Sequence, residues 1–145
     1  MRSIFLDTNV PIYAAGRQHP LKEPCSRVLA LVAESPQEFV TDAEVLQELL
    51  DRYLALRLWP MGGQVFAWFA DLMRERVEPI YSTDVENAAS LADGYPDLGA
   101  RDLLHAAVMG RLGVSRIVSA DSGFGRLGEV ERLDPEKVES WAADL

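Results

Sequence analysis

The sequence predicts an α/β domain built around a mostly parallel β-sheet. Short apolar segments of strand length alternate with segments whose apolar residues recur at helical spacing, which is the pattern of parallel βαβ units. The 145 residues are 48% hydrophobic and 26% charged, a composition typical of one globular domain with its own core. No internal repeat, low-complexity tract or linker-like segment divides the chain. We therefore expect a single domain over residues 1–145.

The first strand is predicted at residues 3–6, a short apolar run that ends at Asp7. A helix is expected next, because Pro11 fits the first turn of a helix and Asn9 is a candidate for its N-cap. A second helix is predicted over residues 22–34, whose apolar residues lie on one side.

The second strand is predicted at residues 38–41, followed by a helix that runs to about Leu58. Thr41 and Glu44 have the spacing of a capping box, so we expect the helix to begin at Thr41. The Trp-Pro-Met-Gly-Gly segment at 59–63 is expected to break the helix, because proline and glycine disfavour helix interiors.

The second half of the chain continues the alternation. Asp134 precedes Pro135 in the order typical of a helix start, which predicts a C-terminal helix there. The other predicted helices cover residues 64–76, 83–93 and 102–113, and the other predicted strands cover 77–80, 115–119 and 130–133. Open parallel sheets bind ligands beyond the carboxyl ends of their strands, so we expect a functional site at that edge.

Four acidic residues are candidates for this site. Asp7 follows the first strand and Asp121 follows the fourth, so a parallel sheet places both at its carboxyl edge. Glu48 lies in the second turn of the helix after the second strand, close to that edge. Asp102 opens a helix that precedes its strand, so connectivity alone does not place it. Taken singly, such acids are most often helix caps or solvated surface residues. Asp102, however, opens the apolar segment 103–109, where a carboxylate needs a partner or a metal.

The available ligand types favour a hard cation. Cys25 is the one cysteine, and the two histidines, His19 and His105, lie far apart, which opposes a disulfide framework or a cysteine- or histidine-built zinc site. Carboxylate oxygens suit Mg²⁺ or Mn²⁺, and this ligand set is typical of metal-assisted phosphodiester hydrolysis.

Location and charge limit the function further. No apolar run approaches the ~18 residues of a membrane span, and the N-terminus reaches Asp7 too early for a signal peptide. The single Cys25 suits the reducing cytoplasm, where we expect the protein.

The net charge of −9 opposes binding of nucleic acid through the protein's overall electrostatic field. Twelve of the fourteen basic residues are arginine, however, so a local arginine patch can still bind phosphates.

Four segments resemble, in order and spacing, the motifs of PIN-domain ribonucleases, and together they cover essentially the whole chain. They are Asp7-Thr8-Asn9, Val45-Leu46-Gln47-Glu48, the Arg101-Asp102 segment through His105 to Ala107, and Ser119-Ala120-Asp121 through Phe124. At this length the chain is similar to a VapC-type toxin of a toxin–antitoxin pair.

The resemblance implies a PIN-like three-layer α/β/α sandwich and an endoribonuclease that depends on Mg²⁺ or Mn²⁺. By this resemblance, the catalytic and metal-binding residues are Asp7, Glu48, Asp102 and Asp121. Thr8, Asn9 and Ser119 would orient carboxylates or water, although Asn9 could instead cap its helix. The implied partners are RNA, a VapB-like antitoxin and a second copy of the chain, with no membrane.

Several residues near these motifs carry open alternatives. Arg101 and Arg126 flank the third and fourth motifs and are predicted to contact RNA. Asp93 or Asp97 could assist or replace Asp102, and Glu44 and Asp51 share a helix side with Glu48.

His105 is expected to pack or to support the site rather than to act as a general base, and Cys25 is expected to pack rather than to react. The aromatic residues Trp59, Phe66, Trp68 and Phe69 favour core packing, with a hydrophobic groove or dimer face as the alternative.

Two other functions compete with the nuclease. An aspartate-based phosphatase or phosphoacceptor domain also places an acid after its first strand. The phosphatase pattern needs a second aspartate where this chain has Asn9, and neither Lys22 nor Lys137 is placed as in a phosphoacceptor. A catalytically silent binding module of the same fold is the other rival, which the presence of all four acids opposes.

Overall fold

The sheet is parallel throughout. The computed structural model describes residues 4–145, so Ser3, the first residue of the predicted first strand, lies outside the described residues. The strands are β1 (Ile4–Leu6), β2 (Phe39–Asp42), β3 (Val77–Glu78), β4 (Arg116–Val118) and β5 (Glu131–Leu133). They lie in the order β3-β2-β1-β4-β5, and all four pairings are parallel. The chain reverses its direction across the sheet between β1 and β4, which makes this the topological switch point.

Helices cover both faces of the sheet. In the described part of the chain they are α1 (Asn9–Ala15), α2 (Lys22–Glu34), α3 (Ala43–Ala55), α4 (Trp59–Leu72), α5 (Ser82–Ala92), α6 (Ala100–Leu112) and α7 (Val138–Ala142). Right-handed crossovers put the helices before β3 and those between β3 and β4 on opposite faces, which gives the expected α/β/α layers. None of the helices within residues 4–145 is both long and apolar enough to cross a membrane.

The central strand is the most deeply buried element. Ile4, Phe5 and Leu6 are fully inaccessible to solvent and belong to one continuous core between the helix layers. Strands buried on both faces are continuously apolar rather than alternating, which is why this segment was recognisable as a strand from its sequence.

The predicted break at residues 59–63 is wrong, because α4 begins at Trp59 and runs through both glycines. Pro60 lies in the first turn, where a missing N–H leaves no helical hydrogen bond unmade. A Cβ on Gly62 would lie 2.2 Å from Cγ of Tyr53, so this glycine permits close packing of α4 on α3. The chain turns earlier, at Arg57, whose φ of 57° is left-handed.

The predicted capping box is also wrong by one residue. Strand β2 extends through Asp42, and Oδ1 of Asp42 caps α3 by accepting a hydrogen bond from the Val45 N–H at 3.0 Å. The Thr41 hydroxyl instead donates to the Leu6 carbonyl at 2.9 Å, which ties β2 to β1. The side chain of Glu44 therefore has no part in capping α3.

Candidate active site

The register of β1 and β4 brings the first and fourth motifs together. Leu6 pairs with Val118, and the Asp7 N–H extends the ladder by donating to the Val118 carbonyl at 3.1 Å. The next residues on the two strands, Asp7 and Ser119, are therefore level. The Ser119 hydroxyl donates to Oδ2 of Asp7 at 2.6 Å. The two motifs thus meet at the switch point, beyond the carboxyl ends of the strands.

Asp7 is held from several sides. Its carboxylate is buried, and Oδ1 accepts the Thr8 N–H at 2.8 Å. Burial raises the pKa of Asp7 against the lowering effects of the His105 charge and of the hydrogen bonds from Ser119 and Thr8. A residue this constrained can offer its carboxylate in one orientation only.

Asn9 connects the two strand ends rather than capping a helix. It is the first residue of α1, and its Nδ2 lies 3.2 Å from Oδ2 of Asp7 and 3.1 Å from the Ser119 hydroxyl. Its Oδ1 accepts the Ala120 N–H at 3.0 Å. Asn9 therefore contacts Asp7, Ser119 and Ala120, and the N-cap position of α1 is Thr8.

Glu48 approaches Asp7 from α3. Its side chain is mostly buried, and Oε2 accepts a hydrogen bond from the Thr8 hydroxyl and lies 3.1 Å from Nε2 of His105. Burial acts to raise the pKa of Glu48, but the hydrogen bond and charge of His105, together with Thr8, outweigh it and hold that pKa below its usual value. Glu48 is therefore ionised and oriented toward the site.

Asp102 and Asp121 complete the set. Asp102 lies in the first turn of α6 and is half-buried. Burial, and then the charges of Asp7 and Asp121, raise the pKa of Asp102 to about 6. Asp121 is exposed, and its Oδ1 accepts the Gly123 N–H at 2.8 Å in the turn that follows β4.

The four predicted acids line one cleft of about 210 Å³. Its lining, which we call the acidic cleft, is Asp7, Thr8, Asn9, Ile12, Glu48, Arg52, Arg101, Asp102 and Asp121. The tertiary structure thus places Asp102, which connectivity left open, beside Asp7 and Asp121. Asp93 and Asp97 are exposed and are not among the lining residues, and neither is Glu44.

His105 and Asp42 form a buried extension of the acidic cleft that the sequence analysis missed in part. Both side chains are fully inaccessible, and Nδ1 of His105 lies 2.8 Å from Oδ2 of Asp42. Burial alone would lower the pKa of His105, but the hydrogen bonds to Asp42 and Glu48 raise it to about 10. One signal was present in the sequence, because Asp102 and His105 are three residues apart on one helix face. Asp42 was missed because the cap was assigned to Thr41.

A cation could be held where these groups meet. One ligand atom each from Asp7, Glu48 and His105 lies within 4.8 Å of the others. In the metal-free protein both ring nitrogens of His105 face carboxylate oxygens, so the ring donates hydrogen bonds instead of offering a lone pair. The carboxylates of the acidic cleft are therefore the better candidates for ligands.

The arginines near the acidic cleft differ in their pairing. Arg101 is half-exposed and pairs with Asp51 at 3.0 Å, and its Nε lies 3.8 Å from both Glu44 and Glu48. Arg52 also lines the cleft, is exposed, and has no ion-pair partner within residues 4–145. Arg126 lies outside the lining and pairs with the exposed Asp97 at 3.3 Å. Arg52 was not singled out in the sequence.

Residues away from the acidic cleft take structural roles or border other surfaces. Burial raises the pKa of Cys25 to about 12, so this thiol packs in the core and is not a reactive group. Phe69 is buried, and Trp59 and Phe66 pack against the core. Trp68 is 53% exposed and borders an apolar groove of about 510 Å³, formed by residues of α1, α2 and α4. Trp59, Phe66 and Phe69 thus take part in core packing, and Trp68 borders the groove.

Comparison with known proteins gives consistent matches. The family model described as the PIN domain matches residues 4–130. A VapC ribonuclease of Mycobacterium bovis is 38% identical over 130 residues, covering 90% of this chain and 98% of the relative. Ribonuclease VapC23 of Mycobacterium tuberculosis is 42% identical over 121 residues, covering 81% and 92% respectively.

Solved structures share the fold. VapC20 of Mycobacterium tuberculosis, described as a sarcin–ricin loop cleaving toxin, superposes with a TM-score of 0.72 at 19% identity, covering 87% of this chain and 95% of that one. A VapBC2 complex from Rickettsia felis bound to a promoter DNA fragment gives a TM-score of 0.70 at 17% identity, covering 90% and 97%. At these identities the likeness concerns the fold alone.

Proposed function

Because the chain belongs to the PIN-domain family, we propose that its acidic cleft cleaves RNA phosphodiester bonds with the help of Mg²⁺ or Mn²⁺, as the toxin of a VapBC-type pair. The observation that carries this proposal is the convergence of Asp7, Glu48, Asp102 and Asp121 on one cleft. Its relatives of 38% and 42% identity are named VapC ribonucleases, which supports the same reaction. The proposed unit is a single PIN-like domain over residues 1–145.

The donor set fits a hard divalent cation. Four carboxylates share the acidic cleft, and burial, followed by the negative charges of Asp7 and Asp121, raises the pKa of Asp102. Oxygen ligands with little nitrogen and no sulfur are the preference of Mg²⁺ and Mn²⁺. When bound, such a cation supplies positive charge at the scissile phosphate and lowers the pKa of an attacking water.

The protein's own groups hold this arrangement in place. Ser119 and Asn9 hold Oδ2 of Asp7. The Thr8 hydroxyl and Nε2 of His105 together hold Oε2 of Glu48, so neither carboxylate needs to reorganise during the reaction. Asp102 and Asp121 face them from α6 and from the end of β4. The guanidinium groups of Arg52 and Arg101 at the cleft can bind the phosphates that flank the scissile bond.

The test is cleavage of RNA by the purified protein in EDTA and in Mn²⁺. We expect the protein to cleave RNA in Mn²⁺ and not in EDTA. Sequencing the 5′ ends of cellular RNA shortly after expression of the protein is induced would then identify the substrate. If the wild-type protein cleaves no RNA in either condition, the catalytically silent binding module replaces the nuclease as the better hypothesis.

The proposed partners follow from the same family. Structural neighbours include complexes titled VapBC, and the apolar groove between α1, α2 and α4 is a surface that a VapB-like antitoxin segment could cover. We also propose that the protein is cytoplasmic and forms a homodimer. Exposed apolar side chains such as Val85, on α5, support a further contact surface.

We expect the arginines at the acidic cleft to contribute a salt-dependent share of RNA affinity. Replacing Arg52 or Arg101 by Ala should weaken binding and lower the slope of log Kd against log salt concentration by roughly 0.7 per lost phosphate contact. Arg126→Ala tests the third proposed contact in the same way. Fluorescence anisotropy with labelled RNA in EDTA measures the slope without cleavage.

Arg74→Ala provides the matched control for these variants. Arg74 is an exposed arginine that pairs with Asp71 and does not line the acidic cleft. Its replacement removes the same charge from the protein's overall field. An arginine whose loss changes the slope no more than Arg74→Ala does is not a phosphate contact.

A further inference from the structure

We propose that Asp42 is a positioning residue for the acidic cleft, which acts through His105 to hold Glu48 in its working orientation. This inference rests on the proposed function. Asp42 does not line the acidic cleft, and its Oδ2 reaches it through the ring of His105, which contacts Glu48.

The two carboxylate oxygens of Asp42 have separate tasks. Oδ1 caps α3 by accepting the Val45 N–H at 3.0 Å, and Oδ2 lies 2.8 Å from Nδ1 of His105. The side chain is fully buried, so this contact forms in a dry environment, where a charged hydrogen bond is strong. Asp42 therefore fixes both the start of the helix that carries Glu48 and the ring that contacts it.

The ring of His105 has little freedom to move. It is fully buried and packs at a centroid distance of 5.3 Å from the ring of Phe5. With Nδ1 directed at Asp42, Nε2 is directed at the acidic cleft, 3.1 Å from Oε2 of Glu48 and 4.0 Å from Oδ1 of Asp7. Any rotation of the ring toward another partner would break its bond to Asp42.

Glu48 depends on this bond because its other restraint is weak by itself. Oε2 is held by Nε2 of His105 and by the Thr8 hydroxyl, while Oε1 lies 3.8 Å from the half-exposed Arg101. If the His105 bond is lost, only the neutral Thr8 hydroxyl and the long, solvent-screened ion pair with Arg101 are left to orient the Glu48 carboxylate. Removal of a hydrogen-bond partner that orients a metal-binding side chain typically lowers metal affinity or activity by about 10–100-fold.

The chain offers a closely matched control in Asp84. It is also fully buried, it accepts the Tyr81 N–H at 2.9 Å at the start of α5, and its Oδ1 pairs with Nε of Arg111 at 2.9 Å. Asp84 and Asp42 thus share burial, a capping bond and a cationic partner. Asp84 is not connected to the acidic cleft by any hydrogen bond found within residues 4–145.

The experiment compares Asp42→Asn with Asp84→Asn in the full chain. Asparagine retains the acceptor that caps a helix, so both variants lose chiefly the charged partner. We expect both to lower the melting temperature in EDTA. Only Asp42→Asn should weaken Mn²⁺ binding in calorimetry, by about 10–100-fold, and lower kcat for RNA cleavage while leaving KM for RNA unchanged.

A second pair of variants keeps the test informative if Asp42→Asn does not fold. The amide of Gln can replace the Nε2–H donor of His105, whereas the shorter amide of Asn can replace only the Nδ1–H donor. His105→Gln therefore loses the bond to Asp42 and keeps a donor to Glu48, and we expect it to bind Mn²⁺ about 10–100-fold more weakly than the wild type. His105→Asn should bind Mn²⁺ no more tightly than His105→Gln. A His105→Gln variant with wild-type Mn²⁺ affinity would overturn the positioning role of Asp42.

The outcomes separate this inference from the function on which it rests. An active wild type together with an Asp42→Asn variant of wild-type Mn²⁺ affinity and kcat overturns the inference alone. Equal losses of Mn²⁺ affinity in Asp42→Asn and Asp84→Asn do the same, because they indicate a general effect of stability. A wild type that neither binds Mn²⁺ nor cleaves RNA overturns the proposed function itself.

Discussion

We expect replacement of Asp7 by Asn to lower the rate of RNA cleavage by a factor on the order of 10³, a loss of about 4 kcal/mol of transition-state stabilisation. Asp7 is the most deeply buried of the four acids and touches the first and fourth motifs through Thr8, Asn9 and Ser119. An amide keeps the shape of the side chain but supplies no negative charge to a cation. The loss should therefore appear in the chemical step, with the fold intact.

Single-turnover cleavage at saturating Mn²⁺ measures this effect. Asp71→Asn is the control, since Asp71 is an exposed acid that pairs with Arg74 and does not line the acidic cleft. Asp102→Asn, Asp121→Asn and Glu48→Gln should each lower the single-turnover cleavage rate by a similar factor. A variant that retains a tenth of wild-type activity removes its residue from the proposed catalytic set.

We expect replacement of Asp102 by Asn to stabilise the metal-free protein at pH 7. The pKa of Asp102 is raised from 3.8 to about 6 by burial and by the charges of Asp7 and Asp121, so its ionised form is unfavourable in the folded state. Allowing for partial solvent screening, removing this charge should stabilise the fold by on the order of 1–2 kcal/mol. Thermal melts in EDTA at pH 7 should show this as a rise of roughly 3–6 °C.

The same pKa shifts determine how stability depends on pH. Asp102 binds a proton more tightly in the folded state between about pH 4 and 6, and His105 does so between 6.5 and about 10. In both windows the folded state holds more protons than the unfolded state, so stability falls as pH rises. Below about pH 4, Glu48 and Asp84, whose pKa values are lowered, lose their contribution as they become protonated.

The metal-free protein should therefore become more stable on acidification from pH 8 to about pH 5. Bound Mn²⁺ should offset the lower stability of the metal-free protein at neutral pH. Millimolar Mn²⁺ should raise the melting temperature of the wild type much more than that of Asp7→Asn, because binding to the native state stabilises it by mass action. Equal shifts in the two proteins would contradict a shared carboxylate site and indicate a purely structural role for Asp7.

Local sequence patterns were sufficient for the parts of this protein that depend on neighbours in the chain. The alternation of apolar strands with amphipathic helices predicted a parallel α/β fold, which the structure confirms. The same alternation placed Asp7 and Asp121 at one edge, because residues that follow parallel strands must meet there. The four motifs in order indicated the family, which the match over residues 4–130 confirms.

The positions of Asp102 and His105 depended on how α6 packs, which no local pattern states. Asp42 and His105 are 63 residues apart, and a hydrogen bond between them exists only because β2 and α6 meet in the core. Arg101 likewise pairs with acids of α3, 50 or more residues earlier, which its surroundings in the sequence do not show.

The same limit explains the errors at the helix ends. Periodicity and residue propensity could not show whether the glycines at 62 and 63 break a helix or admit a neighbouring ring, because the answer depends on Tyr53 of another helix. Asp42 caps α3 in place of the predicted Thr41, because the Thr41 hydroxyl donates to the Leu6 carbonyl on the adjacent strand. The sequence by itself thus determined the fold class and which acids to examine. The tertiary structure decided their partners, since burial and long-range hydrogen bonds are properties of packing and not of local sequence.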